Sequence, residues 1–149
     1  MHCWEVKVMR IKTLVLKAFY RFFTSLFTPI YKIERKVYTM CLKEYLHKGR
    51  IAVDVGCDGK GLLKELSCTY DLVLGIDIDE SSLREAKKFA EKYHLDNVML
   101  IVADAHNLPF KENIFGLITC THVLEHLTFP EASLSEFIRV LKPRGFASL

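Results

Sequence analysis

From Ile51 onward, short apolar runs alternate with segments of helical length, and this alternation limits the chain more than any other feature. Residues 51–55, 72–77, 98–103 and 114–120 read as strands, and a fifth strand begins at Phe146. Between them, residues 59–67, 81–93 and 130–141 read as helices, the second starting at a Ser81 cap. Fully apolar strands separated by helices imply βαβ units, hence a parallel sheet with helices on both faces. Right-handed crossovers then bring the carboxyl ends of the strands to one edge, where ligands bind. Asp54, Asp77 and Asp104 all fall at or just past strand ends.

The chain has 149 residues, enough for one domain with a real core. Its net charge of +3 hides an asymmetry. Residues 1–50 carry 11 Lys/Arg against 3 Asp/Glu, whereas 51–149 carry 10 against 15. The change at Gly49-Arg50 marks the boundary between an N-terminal extension, residues 1–50, and the main unit, residues 51–149.

Within the extension, residues 4–27 mix apolar and aromatic side chains with Lys7, Arg10, Lys12, Lys17 and Arg21, the pattern of a basic amphipathic helix. Thr28-Pro29 should end or kink it, and a second helix is expected over residues 30–46. No run reaches the roughly 18 apolar residues of a spanning helix. Lysines interrupt the apolar part and no small-residue cleavage site follows, which argues against a secretory signal. Phe19, Tyr20, Phe22, Phe23 and Phe27 fit two arrangements. They can lie in an anionic membrane surface, as a peripheral contact, or cover the edge of the following sheet. Basic charge alone is too unspecific to point to nucleic acid, which is not expected as a partner. The five cysteines, odd in number and without a C-x-x-C pair, suit reduced thiols and a cytoplasmic setting.

VDVGCDGKG, residues 53–61, closes the first strand with a glycine-rich turn. Such a turn lets backbone approach a ligand closely. The G-x-G-x-x-G spacing and the G-K-[ST] of a phosphate loop are both absent, so the turn alone leaves a plain βα connection and a nucleotide site open. LGIDIDE adds Asp77 about twenty residues on, where a carboxylate can accept from a ribose diol; NAD and adenosyl ligands both require that. VMLIVADAHNLPF then places Asp104 after the third strand, where a carboxylate can accept from an adenine amino group. That acid favours an adenosine pocket over a dinucleotide site.

VDVGCDGKG, GIDIDESSLREAKK, ADAHNLPFKENIFGLITCTHVLEHL and EASLSEFIRVLKPRG, in this order, resemble the class I S-adenosylmethionine-dependent methyltransferases. The nearest group is the small-molecule branch that includes quinone-biosynthesis enzymes. The resemblance implies a Rossmann-like fold, S-adenosyl-L-methionine as cofactor, and methyl transfer to a small-molecule or lipid-like acceptor. It also implies roles at matched positions. Asp54, the Gly56-Cys57 backbone and Gly59 would approach the methionine end, with the backbone near Cys120-Thr121 completing that pocket. Asp77 would meet the ribose hydroxyls, Ile78 one adenine face, and Asp104 with the Ala105 amide the adenine edge.

Three departures stand out. Asp58 replaces the usual second glycine of the turn, so that Gly59 would take its place or a carboxylate would sit beside the cofactor. Gly116 stands where the family usually has Asp, for which a stability cost is expected. The family fold continues beyond the fifth strand, whereas this sequence stops at Leu149. A fragment, a truncated product, or a unit whose sheet a partner chain completes would each account for that. The rival from another class is accordingly a non-catalytic module or partner subunit.

His122-Val-Leu-Glu125-His126 matches H-x-x-E-H, a zinc-peptidase spacing. Zinc would need a third ligand and a longer helix, and the pattern follows a strand directly, so no metal is expected. His126 is read as structural, Glu125 as a local partner, and His122 as the candidate to face substrate as a base. His2, His47, His94 and His106 carry no usable pattern.

Overall fold

The computed structural model describes residues 50–58 and 62–149. The two helices expected in the extension lie outside the described residues. Strands β1 (Ile51–Val55), β2 (Leu72–Asp77), β3 (Val98–Val102), β4 (Phe115–Thr119) and β5 (Leu141–Ser148) are joined by helices α1 (Leu63–Ser67) after β1, α2 (Glu80–Lys92) after β2 and α3 (Pro130–Val140) before β5, while β3 runs to β4 without a helix. The strands pair in the order β3-β2-β1-β4-β5, every pair parallel. The chain winds outward from β1 to β3 and then crosses back to β4. The carboxyl ends of β1 and β4 therefore flank the switch point where such sheets bind ligands.

The pattern of the strands explains their places. Val53 and Val55 of β1 join Leu74, Ile76, Ile118, Phe137 and Val140 in one buried cluster. By the two-residue period of a strand, Asp54 faces the opposite side, registered between Gly75 of β2 and Thr119 of β4. Among the described residues, Phe115 and Phe137 are the largest fully buried side chains, each contributing about 1.5–3 kcal/mol by leaving water. Edge strand β3 is different: Met99 and Val102 are exposed.

Several boundaries differ from the sequence reading, most of them by one residue, and three differences are informative. Helix α2 begins at Glu80, and its cap is Asp79 rather than Ser81: the Asp79 carboxylate accepts from the amides of Ser81 and Ser82. Helix α1 starts at Leu63, four residues later than read. Strand β5 starts at Leu141, ahead of the expected Phe146. Its pairing with β4 jumps from Phe115–Leu141 to Leu117–Phe146, so Pro143, Arg144 and Gly145 form an irregular stretch on an edge strand. Arg144 adopts a positive φ of 65° there. Gly116 lies in β4 opposite this irregularity. Among the described residues, no helix is long and apolar enough to cross a membrane.

Candidate active site

The turn after β1 is built on Gly56. Its φ of +76° is a conformation that side chains disfavour, and a Cβ there would stand 2.1 Å from Val123 Cγ2. The loop after β4 thus closes directly over the turn after β1. The amides of Gly56 and Cys57 both donate to the Ile76 carbonyl, at 2.8 and 3.0 Å. They are engaged in holding the turn to β2, so a ligand at this point meets the turn's other atoms rather than these two N–H groups. Gly75 makes room for the turn from below, since a Cβ would lie 2.8 Å from Cys57 Sγ and from Leu100 Cδ2.

Asp54 lies behind the turn, 4% exposed. Its Oδ1 accepts the Thr119 hydroxyl at 2.6 Å. Burial pushes its carboxyl up to about 6, with the Asp58 charge adding to the rise, while bonds from Thr119, the Leu62 amide and Cys57 oppose it. The carboxylate therefore spans the turn, tied to Cys57 on one side and to the start of α1 on the other. Asp58 itself is exposed. Gly59 lies outside the described residues. Cys120, at the end of β4, is buried and its amide donates to Ser148; burial, together with the Asp54 and Glu125 charges, pushes its thiol up to about 12. Thr121 is exposed beside it.

The ends of β2 and β3 are open by comparison. Asp77 closes β2, its Oδ1 accepting the Asp79 amide at 2.8 Å, and Ile78 after it is 70% exposed. Asp104 follows β3 with a half-exposed side chain. Its Oδ1 accepts the His106 amide at 2.9 Å and meets His106 Nδ1 at 2.7 Å. Those bonds hold its carboxyl below the usual carboxylate range. Ala105 is buried in the core cluster. The loop continues into a clamp from α3: Glu136 accepts the Leu108 amide, and Arg139 donates to Glu136 and to the carbonyls of Leu108 and Phe110.

His122 has a positive φ of 57° just past β4, with its Nδ1 3.6 Å from Glu125. The H-x-x-E-H run forms only a short 3-10 turn, Leu124–His126, so His122 and His126 do not share a helical face. No group of three or more potential metal ligands is gathered among the described residues.

The donor set fits an adenosyl ligand: carboxylates follow two adjacent strands, an exposed apolar side chain comes directly after one of them, and the turn after β1 has a glycine at its tightest point. Residues 53–149 match the family profile described as "Methyltransferase domain". The chain belongs to the methyltransferase-domain family. Its parallel sheet is that of the class I S-adenosylmethionine-dependent methyltransferases, whose cofactor is S-adenosyl-L-methionine. The ubiquinone biosynthesis O-methyltransferase of Coxiella burnetii is 35% identical over 99 residues, covering 66% of this chain and 42% of that protein. The sterol 24-C-methyltransferase of Saccharomyces cerevisiae is 30% identical over 115 residues, covering 76% and 30%. The crystal structure of a SAM-dependent methyltransferase from Aquifex aeolicus superposes with a TM-score of 0.64 at 28% identity, covering 70% of this chain and 57% of that one. The chain spans less than half the length of these two curated relatives.

The structure adds residues that the sequence reading of this methyltransferase domain passed over. Thr119 read as one more strand residue, and only the β1–β4 register reveals it beside Asp54. His106 showed no pattern, although its place two residues after an acid is the spacing of a side chain bonding the backbone two residues on. Glu136 and Arg139, three apart on α3, could have been read as a helical ion pair but not as a loop clamp.

Proposed function

We propose that this chain is an S-adenosyl-L-methionine-dependent methyltransferase acting on a small-molecule or lipid-like acceptor. The observation that carries the reading is the row of Asp77, exposed Ile78 and Asp104 at the ends of β2 and β3, beside the Gly56 turn. In this reading Asp77 accepts from the ribose diol, Ile78 packs on an adenine face, and Asp104 with the Ala105 amide takes the adenine edge. Gly56, Cys57, Gly59 and Thr121 line the methionine end, and Asp54 holds their turn in place. The bound cofactor supplies an electrophilic methyl group on a sulfonium, whose departure needs no acid. The chain's contribution is alignment and exclusion of water. Where the acceptor must lose a proton, exposed His122, next to Glu125, is the base we assign.

The small-molecule acceptor is supported by the names of the quinone and sterol methyltransferases among the relatives. We place the protein in the cytoplasm, with residues 4–27 as its contact to a membrane surface where the acceptor is lipid-like. The testing experiment is calorimetric titration with S-adenosylmethionine, S-adenosylhomocysteine and NADH, after circular dichroism has shown a folded chain. Micromolar binding of the two adenosyl ligands and none of NADH is expected. A folded chain that binds none of them would instead make it a non-catalytic module.

A further inference from the structure

Asp104 is half-exposed on a loop, yet its carboxylate is held from two directions on the same oxygen. Oδ1 accepts the His106 amide at 2.9 Å and faces His106 Nδ1 at 2.7 Å. An ionised carboxylate only accepts, so the proton between them belongs to Nδ1. Nε2 of the neutral ring is then an acceptor, and the Phe129 amide donates toward it at 3.4 Å. The Phe129 ring meets the imidazole edge-on, with centroids 6.3 Å apart. His106 thus bridges the loop after β3 and the residue that precedes Pro130 at the start of α3. Both of these contacts fall on Oδ1, so among the described residues Oδ2 is the carboxylate oxygen not engaged by His106.

We infer that His106 is the positioning residue for the adenine end of the site. By occupying Oδ1 it fixes the rotamer of Asp104 and presents Oδ2 to the exocyclic amine of an adenine base. The assignment rests on the adenosyl reading given above and adds how the base is selected. The loop backbone does not depend on the imidazole. Asn107 donates to the Asp104 carbonyl at 3.0 Å, and Glu136 and Arg139 hold Leu108 and Phe110. Removing the ring should therefore loosen the carboxylate while the loop stays in place. An inosyl base discriminates the two cases, because it offers a carbonyl where adenine offers the amine, and a fixed carboxylate repels it.

The test uses the full chain and two variants, His106→Leu and His106→Asn, the latter because its amide nitrogen can stand where Nδ1 stands. Calorimetry compares S-adenosylhomocysteine with S-inosylhomocysteine, and carbon NMR follows the titration of the Asp104 carboxyl in the ligand-free chain. In His106→Leu the preference for the adenosyl ligand should fall about tenfold, the worth of one well-placed charged hydrogen bond, with adenosyl affinity reduced and inosyl affinity unchanged or raised. The Asp104 carboxyl should titrate at higher pH in that variant, and His106→Asn should restore most of both effects. An equal loss for both ligands, or an Asp104 titration that does not move, would overturn the assignment. A wild-type chain that binds neither ligand would overturn the adenosyl reading instead, and the adenine role with it, even if the titration still showed His106 holding Asp104.

Discussion

The two ends of the strand edge push their carboxylates in opposite directions. At the ends of β1 and β4, Asp54 is buried under the Gly56 turn, and loss of water raises its carboxyl to about 6 against the help of Thr119. Just past β2 and β3, Asp79 and Asp104 stand in solvent; the hydroxyls and amides of Ser81 and Ser82 hold the first below the usual range, and the amide and imidazole of His106 hold the second there. A carboxylate that resists ionisation suits fastening a loop, whereas one kept ionised and oriented suits accepting from a ligand. The difference teaches that acids at equivalent strand ends need not share a task, because depth in the sheet decides which one each can perform.

The buried end should be the less forgiving. Gly56→Val adds a β-branched side chain at a φ of +76° and drives it into Val123. The backbone strain and the overpacking together should cost about 3–5 kcal/mol in urea unfolding. A loss below about 1 kcal/mol would show that the loop after β4 yields, and that the turn is not closed as described.

The ionisation of Asp54 gives the next largest effect, with a defined sign. Its carboxyl sits near 6 in the folded chain and at 3.8 by the model-compound value, so between those limits the folded chain keeps a proton that the unfolded chain has lost. The contribution of Asp54 is complete below about pH 4 and is lost as pH rises through 6. Asp54→Asn removes that slope. From pH 4 to 7 the variant should gain on wild type by up to about 3 kcal/mol, read from paired unfolding curves. A constant difference would mean that Asp54 is ionised throughout and that the contrast between the two ends is wrong.

At the exposed end the expected loss is in binding. Asp77→Ala should weaken S-adenosylhomocysteine by about 1.5–3 kcal/mol, roughly tenfold to a hundredfold, through loss of charged hydrogen bonds to the diol. Asp77 also accepts the Asp79 amide, so the unfolding curve of the same variant separates a lost ligand contact from a disturbed loop. Unchanged affinity would remove β2 from the site.

How much of this could be read beforehand follows the same division. β1 and β2 were legible to the residue, because unbroken apolar runs ending in acid and glycine admit few other structures. So was the position of Asp77 at the end of β2, whereas β3 stops at Val102, one residue earlier than read, and leaves Asp104 two residues beyond it. The beginning of β5 was not, since Pro143 and Gly145 signal a turn and only the pairing of both flanks with β4 shows a strand running through. Thr119 and His106 stayed hidden for a related reason. The partner of Thr119 is 65 positions away across the sheet, and that of His106 depends on a ring orientation that no spacing states.

The smallest effect sharpens the comparison most directly, because Asp79 has no substrate role and reports the exposed end alone. Its carboxyl is lowered to about 2, first by the Ser81 hydroxyl and then by the amides and hydroxyls of the first turn of α2. A depressed carboxyl contributes stability that is present above about pH 4 and is lost as pH falls toward 2. Asp79→Ala should therefore lower the urea midpoint at pH 7, by less than Gly56→Val does, and the gap from wild type should close near pH 2. Asp79→Asn keeps a side chain that can cap without the charge, so it should fall between the two at pH 7. If the alanine variant lagged wild type equally at both pH values, the cap would act by shape alone. The exposed end would then owe its order to hydrogen-bond geometry, not to ionised carboxylates, and the same doubt would pass to Asp104 across the edge.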